Sequence, residues 1–337
     1  MKRPLITVLA AAMLFSPLAT LTAHADEVRS RMIRFGYGLN EQSNQGRAAK
    51  LFAEEVAKAS EGKLKMRTYA AASLGSDDQM QSALIGGAQE MMVGSTATLV
   101  GITKEMAVWD TPFLFTREQQ ADAVLDGPVG RQVMDKLEEK GLVGLVYWEN
   151  GFRNMTNNTR SITKLEDFSG IKLRVMPNPV FLETFNLMGA NAVPLPFSEL
   201  FTALETQAVD GQENPFNTIL SSKFFEVQKY LTVTNHVYSP WIVTASKRWW
   251  DGLSQTEQGI IMDAAIKARD FERQDTRAEA AKALAQLKDN GMQVNQISAD
   301  EVQRMRERAQ PAIQQVIDTV GQPLFDQVQA ELAKVPE

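Results

Sequence analysis

From Ser254 to Asn290 the chain holds no proline, and its only glycine is Gly259. The stretch is rich in Ala, Glu, Lys, Arg and Gln, residues that favour helices. It opens on Ser254-Gln255-Thr256-Glu257, the pattern of a capping box. This predicts a helix of about 35 residues, or roughly 50 Å. That is long for a globular helix and suits one that spans two lobes. A chain of 337 residues with 44% hydrophobic content can build both.

The rest reads as a wound α/β protein. Residues 31–37 alternate as a strand does, and a polar loop follows, Asn40-Glu41-Gln42-Ser43-Asn44. Ala49, Phe52, Val56 and Ala59 then recur at helical spacing, and Leu64 to Tyr69 is a second strand. Leu142 to Tyr147 is a strongly apolar strand, and a crossing to the second lobe is expected near Glu149 to Phe152. Tyr230 to His236 and Trp241 to Ser246 read as strands that bring the chain back. The expected division is therefore lobe I over 26–149 plus about 237–253, lobe II over 150–236, and the spanning helix over 254–290. A C-terminal helical region, 291–337, packs on the lobes. An internal echo relates Ser82-Ala83-Leu84 with Ala88-Gln89-Glu90 to Thr202-Ala203-Leu204 with Ala208-Val209-Asp210. It matches Gly94, Ser95 and Thr96 to Asn214, Pro215 and Phe216. If the lobes are alike, these strand tips face one cleft, where open α/β sheets bind ligands.

The amino terminus reads as a secretory signal. Lys2 and Arg3 precede an apolar stretch from Leu5 to Leu21, and Ala23-His24-Ala25 fits cleavage after Ala25. Ser16 and Pro17 interrupt a run that is short for a membrane span. Lys2 and Arg3 are the only charged residues removed, so the formal charge goes from -6 to -8. An acidic chain without a basic run is a poor nucleic-acid binder. There is no cysteine, which excludes disulfides, thiolate metal sites and a cysteine nucleophile. Beyond the signal the only histidine is His236, too few for a histidine metal site. No phosphate loop, nucleophile elbow or H-E-x-x-H occurs. Asp77-Asp78 and Glu138-Glu139 read as solvated helix faces. No cofactor, no metal and no enzymatic activity are expected, and the protein is expected to be a monomer.

Arg174 lies in the strand pattern Ile171-Lys172-Leu173-Arg174-Val175. A guanidinium there offers a planar fork on a stiff element, suited to two-point contact with a carboxylate. Arg153 is a second arginine at a strand start near the lobe crossing. Asn214, at an expected strand end before Pro215, can donate to a carboxylate or hydroxyl and also accept. Together they point to capture of a small organic anion.

At these residues the chain resembles the substrate-binding proteins of tripartite ATP-independent periplasmic (TRAP) transporters. The resembling segments are Gly75-Ser76-Asp77, Tyr147-Trp148-Glu149-Asn150-Gly151-Phe152-Arg153, Lys172 to Pro179, Pro194 to Glu199, and Val209 to Pro215. The resemblance implies a two-lobed α/β fold that closes on its ligand and delivers it to membrane permease subunits. It makes Arg174 the carboxylate clamp, Arg153 the second cationic contact and Asn214 the cleft asparagine. Asn40 and Gln42 would contribute from the first loop, Ser95 from the first lobe, and Phe197 would pack on the ligand from the second. Pro177 departs from the family, where that position is often polar, and removes one hydroxyl contact. The only charge in the first loop is the anion Glu41, and the candidate wall residues Ser95, Thr96, Asn40, Gln42 and Asn214 are hydroxyls and amides. This suits a sugar acid such as a uronate or aldonate. A four-carbon dicarboxylate held by Arg153 and Arg174 at its two ends is the alternative.

Overall fold

The computed structural model describes residues 27–336. The secretory signal and its cleavage after Ala25 lie outside them. Eleven strands occur among the described residues: β1 (Arg31–Tyr37), β2 (Leu64–Tyr69), β3 (Met91–Ser95), β4 (Leu142–Phe152), β5 (Asn154–Asn157), β6 (Lys172–Val175), β7 (Asn191–Pro194), β8 (Gly211–Asn214), β9 (Tyr230–Val233), β10 (Tyr238–Ser246) and β11 (Gln293–Gln296). They form two sheets, each the centre of one lobe. The first has the order β2-β1-β3-β10-β4 and the second β11-β9-β5-β8-β6-β7.

Each sheet mixes directions for a reason visible in the chain path. β1, β2 and β3 are parallel and joined through helices, whereas β10 runs antiparallel to both β3 and β4. β10 is the strand that returns from the second lobe, and it is buried along its whole length. In the second sheet β6, β7 and β8 are parallel, while β5 is antiparallel to β8 and β9. The chain crosses where β4 runs into β5, separated by Arg153 alone, and returns between Val233 and Tyr238. At the first crossing Gly151 has φ +112, a conformation that costs an L side chain energy.

The long helix runs from Gln255 to Asp289. Ser254 Oγ accepts from the Glu257 N–H at 3.1 Å, and the Ser254 N–H donates to Glu257 Oε2 at 2.8 Å, a complete capping box. Its first half buries Ile261, Ala264, Ala265 and Ala268 in the first lobe's core with Phe52 and Trp148. Its last turns bury Leu287 in the second lobe's core with Leu204 and Phe224. Alanine on the first-lobe face lets helix and sheet approach closely. Buried Arg273 and half-buried Arg277 tie the middle of the helix to Asp122, Asp126 and Glu149 of the first lobe.

One element differs from expectation. The C-terminal region is helical over Ala299–Arg308, Gln310–Val320 and Gln322–Leu332, but it is preceded by β11, which pairs in parallel with β9 at the edge of the second sheet. Gln293-Val294-Asn295-Gln296 carries one apolar residue, so no alternation announced it; pairing with β9 made the strand.

Candidate ligand-binding site

A cavity lies between the lobes. Both sheets present strand ends to it. From the first come Gly38 and Leu39 after β1, Ser95 at the end of β3, Trp241 of β10, and Ser76, Asp77 and Asp78 at the start of the helix Asp77–Ile85. From the second come Arg174, Met176 and Pro177 on and after β6, Phe197, and Asn214 at the end of β8. Asn150 and Arg153 reach it from the crossing. Ser95 and Asn214, from the two strand tips that the internal echo relates by matching Gly94 to Asn214 and Ser95 to Pro215, both wall this cavity.

Arg174 dominates the electrostatics. It is 1% exposed and sits between β7 and β8 in register with Val193 and Gln212. Its Nε donates to the Leu195 carbonyl at 2.8 Å, which fixes the guanidinium plane. Its Nη1 is buried without a hydrogen-bond partner, and Arg174 makes no salt bridge among the described residues. Burial pushes its pKa down to about 9, with nearby Arg153 adding to the effect and the charges of Glu213 and Asp77 opposing it. A cation stripped of water with a donor left over is a site built for an anion.

Arg153 corrects an expectation. It lines the cavity, but its fork is already occupied: Nε and Nη2 grip the Glu213 carboxylate, Nη2 also donates to the Glu213 carbonyl, and Nη1 lies 3.4 Å from Ser239 Oγ. Burial pushes the Glu213 carboxyl up, yet Arg153 and His236 outweigh burial and hold it below its ordinary range. His236 Nε2 lies 3.1 Å from Glu213, and Nδ1 lies 2.7 Å from Thr234 Oγ1. Burial keeps His236 neutral, so Nε2–H donates to Glu213 and Nδ1 accepts from Thr234. Arg153 is therefore held by Glu213, with Nη1 beside Ser239, rather than standing as a second free clamp.

The other residues divide. Asn214 is buried, and its amide nitrogen donates to Gln212 Oε1 at 2.6 Å. Ser95 accepts from the Ala97 N–H and lies 3.4 Å from Met176 Sδ across the cleft. Phe197 stacks at a tilt on Phe224, 6.0 Å between centroids, with its edge toward Gly38 of the other lobe. Asn40 and Gln42 do not line this cavity. Asn40 spends its amide on the Ser221 carbonyl of the second lobe at 2.7 Å, and Gln42 is exposed on the outer rim. Thr96 turns inward to the Pro240 carbonyl, so Thr98 takes its place on the wall.

Asp77 is the residue that sequence reasoning missed. Far from being solvated, it lies on the cavity wall at the first turn of its helix, where Oδ2 accepts from the Ser95 N–H at 3.0 Å. The cavity leaves the residue half-buried. Burial pushes its pKa up to about 6, against the Ser95 hydrogen bond and the charge of Arg174, with Asp78 raising it further. The signal was Gly94: a Cβ there would lie 2.9 Å from Asp77 Oδ2 and 2.7 Å from Met92 Cε, so glycine lets the carboxylate dock on β3.

Fold and site define a two-lobed receptor that encloses a small anion at facing strand tips. Residues 35–319 match the model of the bacterial extracellular solute-binding proteins, family 7, and the chain belongs to that family. It is 36% identical over 265 residues to the 2,3-diketo-L-gulonate-binding periplasmic protein YiaO of Escherichia coli, covering 79% of this chain and 81% of the relative. It is 31% identical over 306 residues to the C4-dicarboxylate-binding periplasmic protein DctP of Rhodobacter capsulatus, covering 90% and 91%. The crystal structure of the sugar acid binding protein DctPAm from Advenella mimigardefordensis, in complex with galactonate, superposes with a TM-score of 0.90 at 48% identity, covering 91% of this chain and 99% of that one. The protein is thus a periplasmic solute receptor of a TRAP transporter and not an enzyme; it binds small carboxylates and works with membrane permease components.

Proposed function

We propose that the ligand is a sugar acid, an aldonate or uronate, whose carboxylate docks on the free edge of Arg174. The observation that carries this reading is the charge balance of the cavity. One cation has spare donors, Nη1 of Arg174 buried without a partner, while the second arginine is consumed by Glu213. A dicarboxylate would need two clamps. The remaining wall offers hydroxyls and amides from Ser95, Thr98, Asn150, Ser198, Asn214 and Thr218, which suit a hydroxylated chain. The relatives that bind diketogulonate and galactonate support the reading, and the relative that binds C4-dicarboxylates supplies the alternative.

Each charge-assisted hydrogen bond contributes roughly 1.5–3 kcal/mol. Two from Arg174 and several neutral ones to hydroxyls, less the ordering costs, reach about -8 kcal/mol, a micromolar Kd. The ligand would be held by both lobes at once, so binding favours the closed form that the permease receives. Export as a cleaved precursor and action as a monomer complete the proposal. Calorimetric titration with galactonate, gluconate, galacturonate, succinate and malate tests it. The sugar acids should bind at least tenfold more tightly; tighter binding of succinate or malate would transfer the assignment to the dicarboxylates.

A further inference from the structure

The cavity has two electrical ends. Arg174 stands in the second lobe and Asp77 in the first. No ion pair joins them, although each feels the other's charge. Asp77 cannot turn away from the cavity. Its Oδ2 is bound to the Ser95 N–H at 3.0 Å, and Gly94 lets its carboxylate press against β3. Its Oδ1 makes no hydrogen bond among the described residues and lies 3.9 Å from where a Cβ on Gly38 would stand. Asp77 also occupies the first turn of its helix, where the backbone N–H groups favour a negative charge. Asp78 follows it on the same wall.

We propose that Asp77 is a specificity-determining residue that admits the hydroxylated end of a monocarboxylate and turns away a second carboxylate. The proposal rests on the sugar-acid reading and deepens it. With the ligand's carboxylate on Arg174, the far end of an extended acid meets the free oxygen of Asp77. A hydroxyl there donates a charge-assisted hydrogen bond. A carboxylate there is a like charge in a half-desolvated site, and at about 5 Å such repulsion amounts to roughly 100-fold in affinity. The groups that face the Asp77 carboxylate are Asp78 on its own helix, the Ser95 N–H on β3 and Arg174 on β6. Only Arg174 is a cation, and the ligand's first carboxylate occupies it.

The test is a matched pair. Galactonate and galactarate differ only in that the terminal CH2OH of one is a carboxylate in the other, and gluconate and glucarate repeat the comparison. Calorimetry on the unmodified protein at pH 8 should give at least one monoacid bound about 100-fold more tightly than its diacid. Asp77→Asn keeps an oxygen for the Ser95 N–H and should narrow that ratio at least tenfold, mainly by improving the diacid, while Asp78→Asn should change it less. The unmodified protein taken from pH 8 to pH 5 reads the same quantity without a variant. Protonation of Asp77 near pH 6 removes the repulsion, whereas both diacid carboxylates stay ionised. A monoacid and diacid bound equally by the unmodified protein, or a ratio that neither Asp77→Asn nor pH 5 narrows, overturns the inference and leaves the sugar-acid reading standing. Failure of all four acids to bind, with succinate bound instead, overturns the reading itself.

Discussion

Replacing Arg174 with methionine should destroy binding and, at the same time, stabilise the ligand-free protein. Methionine keeps the length and apolar stem of the side chain and deletes the charge. On the binding side, two charge-assisted hydrogen bonds at roughly 1.5–3 kcal/mol each predict a loss of about 3–6 kcal/mol, at least 100-fold in Kd. On the stability side, burial lowers the arginine from 12.5 to about 9. At ~1.4 kcal/mol per tenfold this corresponds to ~5 kcal/mol by which the closed, ligand-free fold disfavours the charge. The substitution also frees the half-buried Leu195 carbonyl, which costs about 1–3 kcal/mol. The net gain is ~2–4 kcal/mol, or about 3–6 °C in Tm for a chain of this size. Calorimetry with galactonate and thermal unfolding without ligand measure the two halves separately. An unchanged Kd refutes Arg174 as the anchor. A ligand-free Tm that falls refutes the account of Arg174 as a cation lacking a partner.

Glu213→Gln should lower Tm sharply, because it leaves Arg153 buried against a neutral partner, a loss of about 3–5 kcal/mol; unfolding within a degree of the unmodified protein would contradict the ion pair. Burial holds the Asp110 carboxyl at about 8, hydrogen-bonded to Asn178 from the other lobe at 2.8 Å. Its folded pKa is raised, so its contribution is complete below the unfolded value near 4 and vanishes as pH rises through about 8. Asp110→Asn should therefore raise Tm at pH 9 and leave it unchanged at pH 4, and a parallel shift at both pH values would count against this protonation. Gly94→Ala drives a methyl group against the Asp77 carboxylate and should weaken sugar-acid binding several-fold with a smaller effect on Tm; equal affinity would mean that Asp77 is not where ligand meets it. Asn40→Ala removes one hydrogen bond between the lobes, worth about 0.5–1.5 kcal/mol, and should raise Kd by roughly 2- to 12-fold without changing the preference among acids.

What the sequence disclosed and what it withheld separate along one physical line. Features set by local pattern were readable. The capping box and unbroken stretch at Ser254 gave the long helix to within a residue at each end, and the apolar run at Leu142 gave the strand that leads to the crossing. The fork of Arg174 was readable because a cation in a strand pattern is a local contradiction. Features set by contact between distant segments were not. Arg153 looked as available as Arg174, because its partner Glu213 is 60 residues away and meets it only through the antiparallel register of β5 and β8. Asp77 looked solvated, because the elements that enclose it are β3 and the second lobe. Asn40 looked like a ligand contact, because only the closed molecule brings Ser221 within its reach.

On the proposed mechanism, the same separation explains why the ligand favours the closed form. Among the contacts that join the lobes directly are hydrogen bonds from Asn40 to Ser221, from Asn178 to the Ala97 carbonyl and to Asp110, and from Thr218 to Asn150, beside apolar packing of Ala97 and Phe113 against the second lobe. Each hydrogen bond contributes about 0.5–1.5 kcal/mol. Against them stands the desolvation of Arg174, several kcal/mol when its free donor finds no acceptor. The desolvation opposes these contacts, so closing without an anion gains less than closing with one. A carboxylate on Nη1 removes that obstacle and leaves the contacts to act. Differential affinity of this kind is what a ligand needs to shift a two-state equilibrium. A buried cation that weakens the ligand-free fold is therefore also the element that couples occupancy to shape.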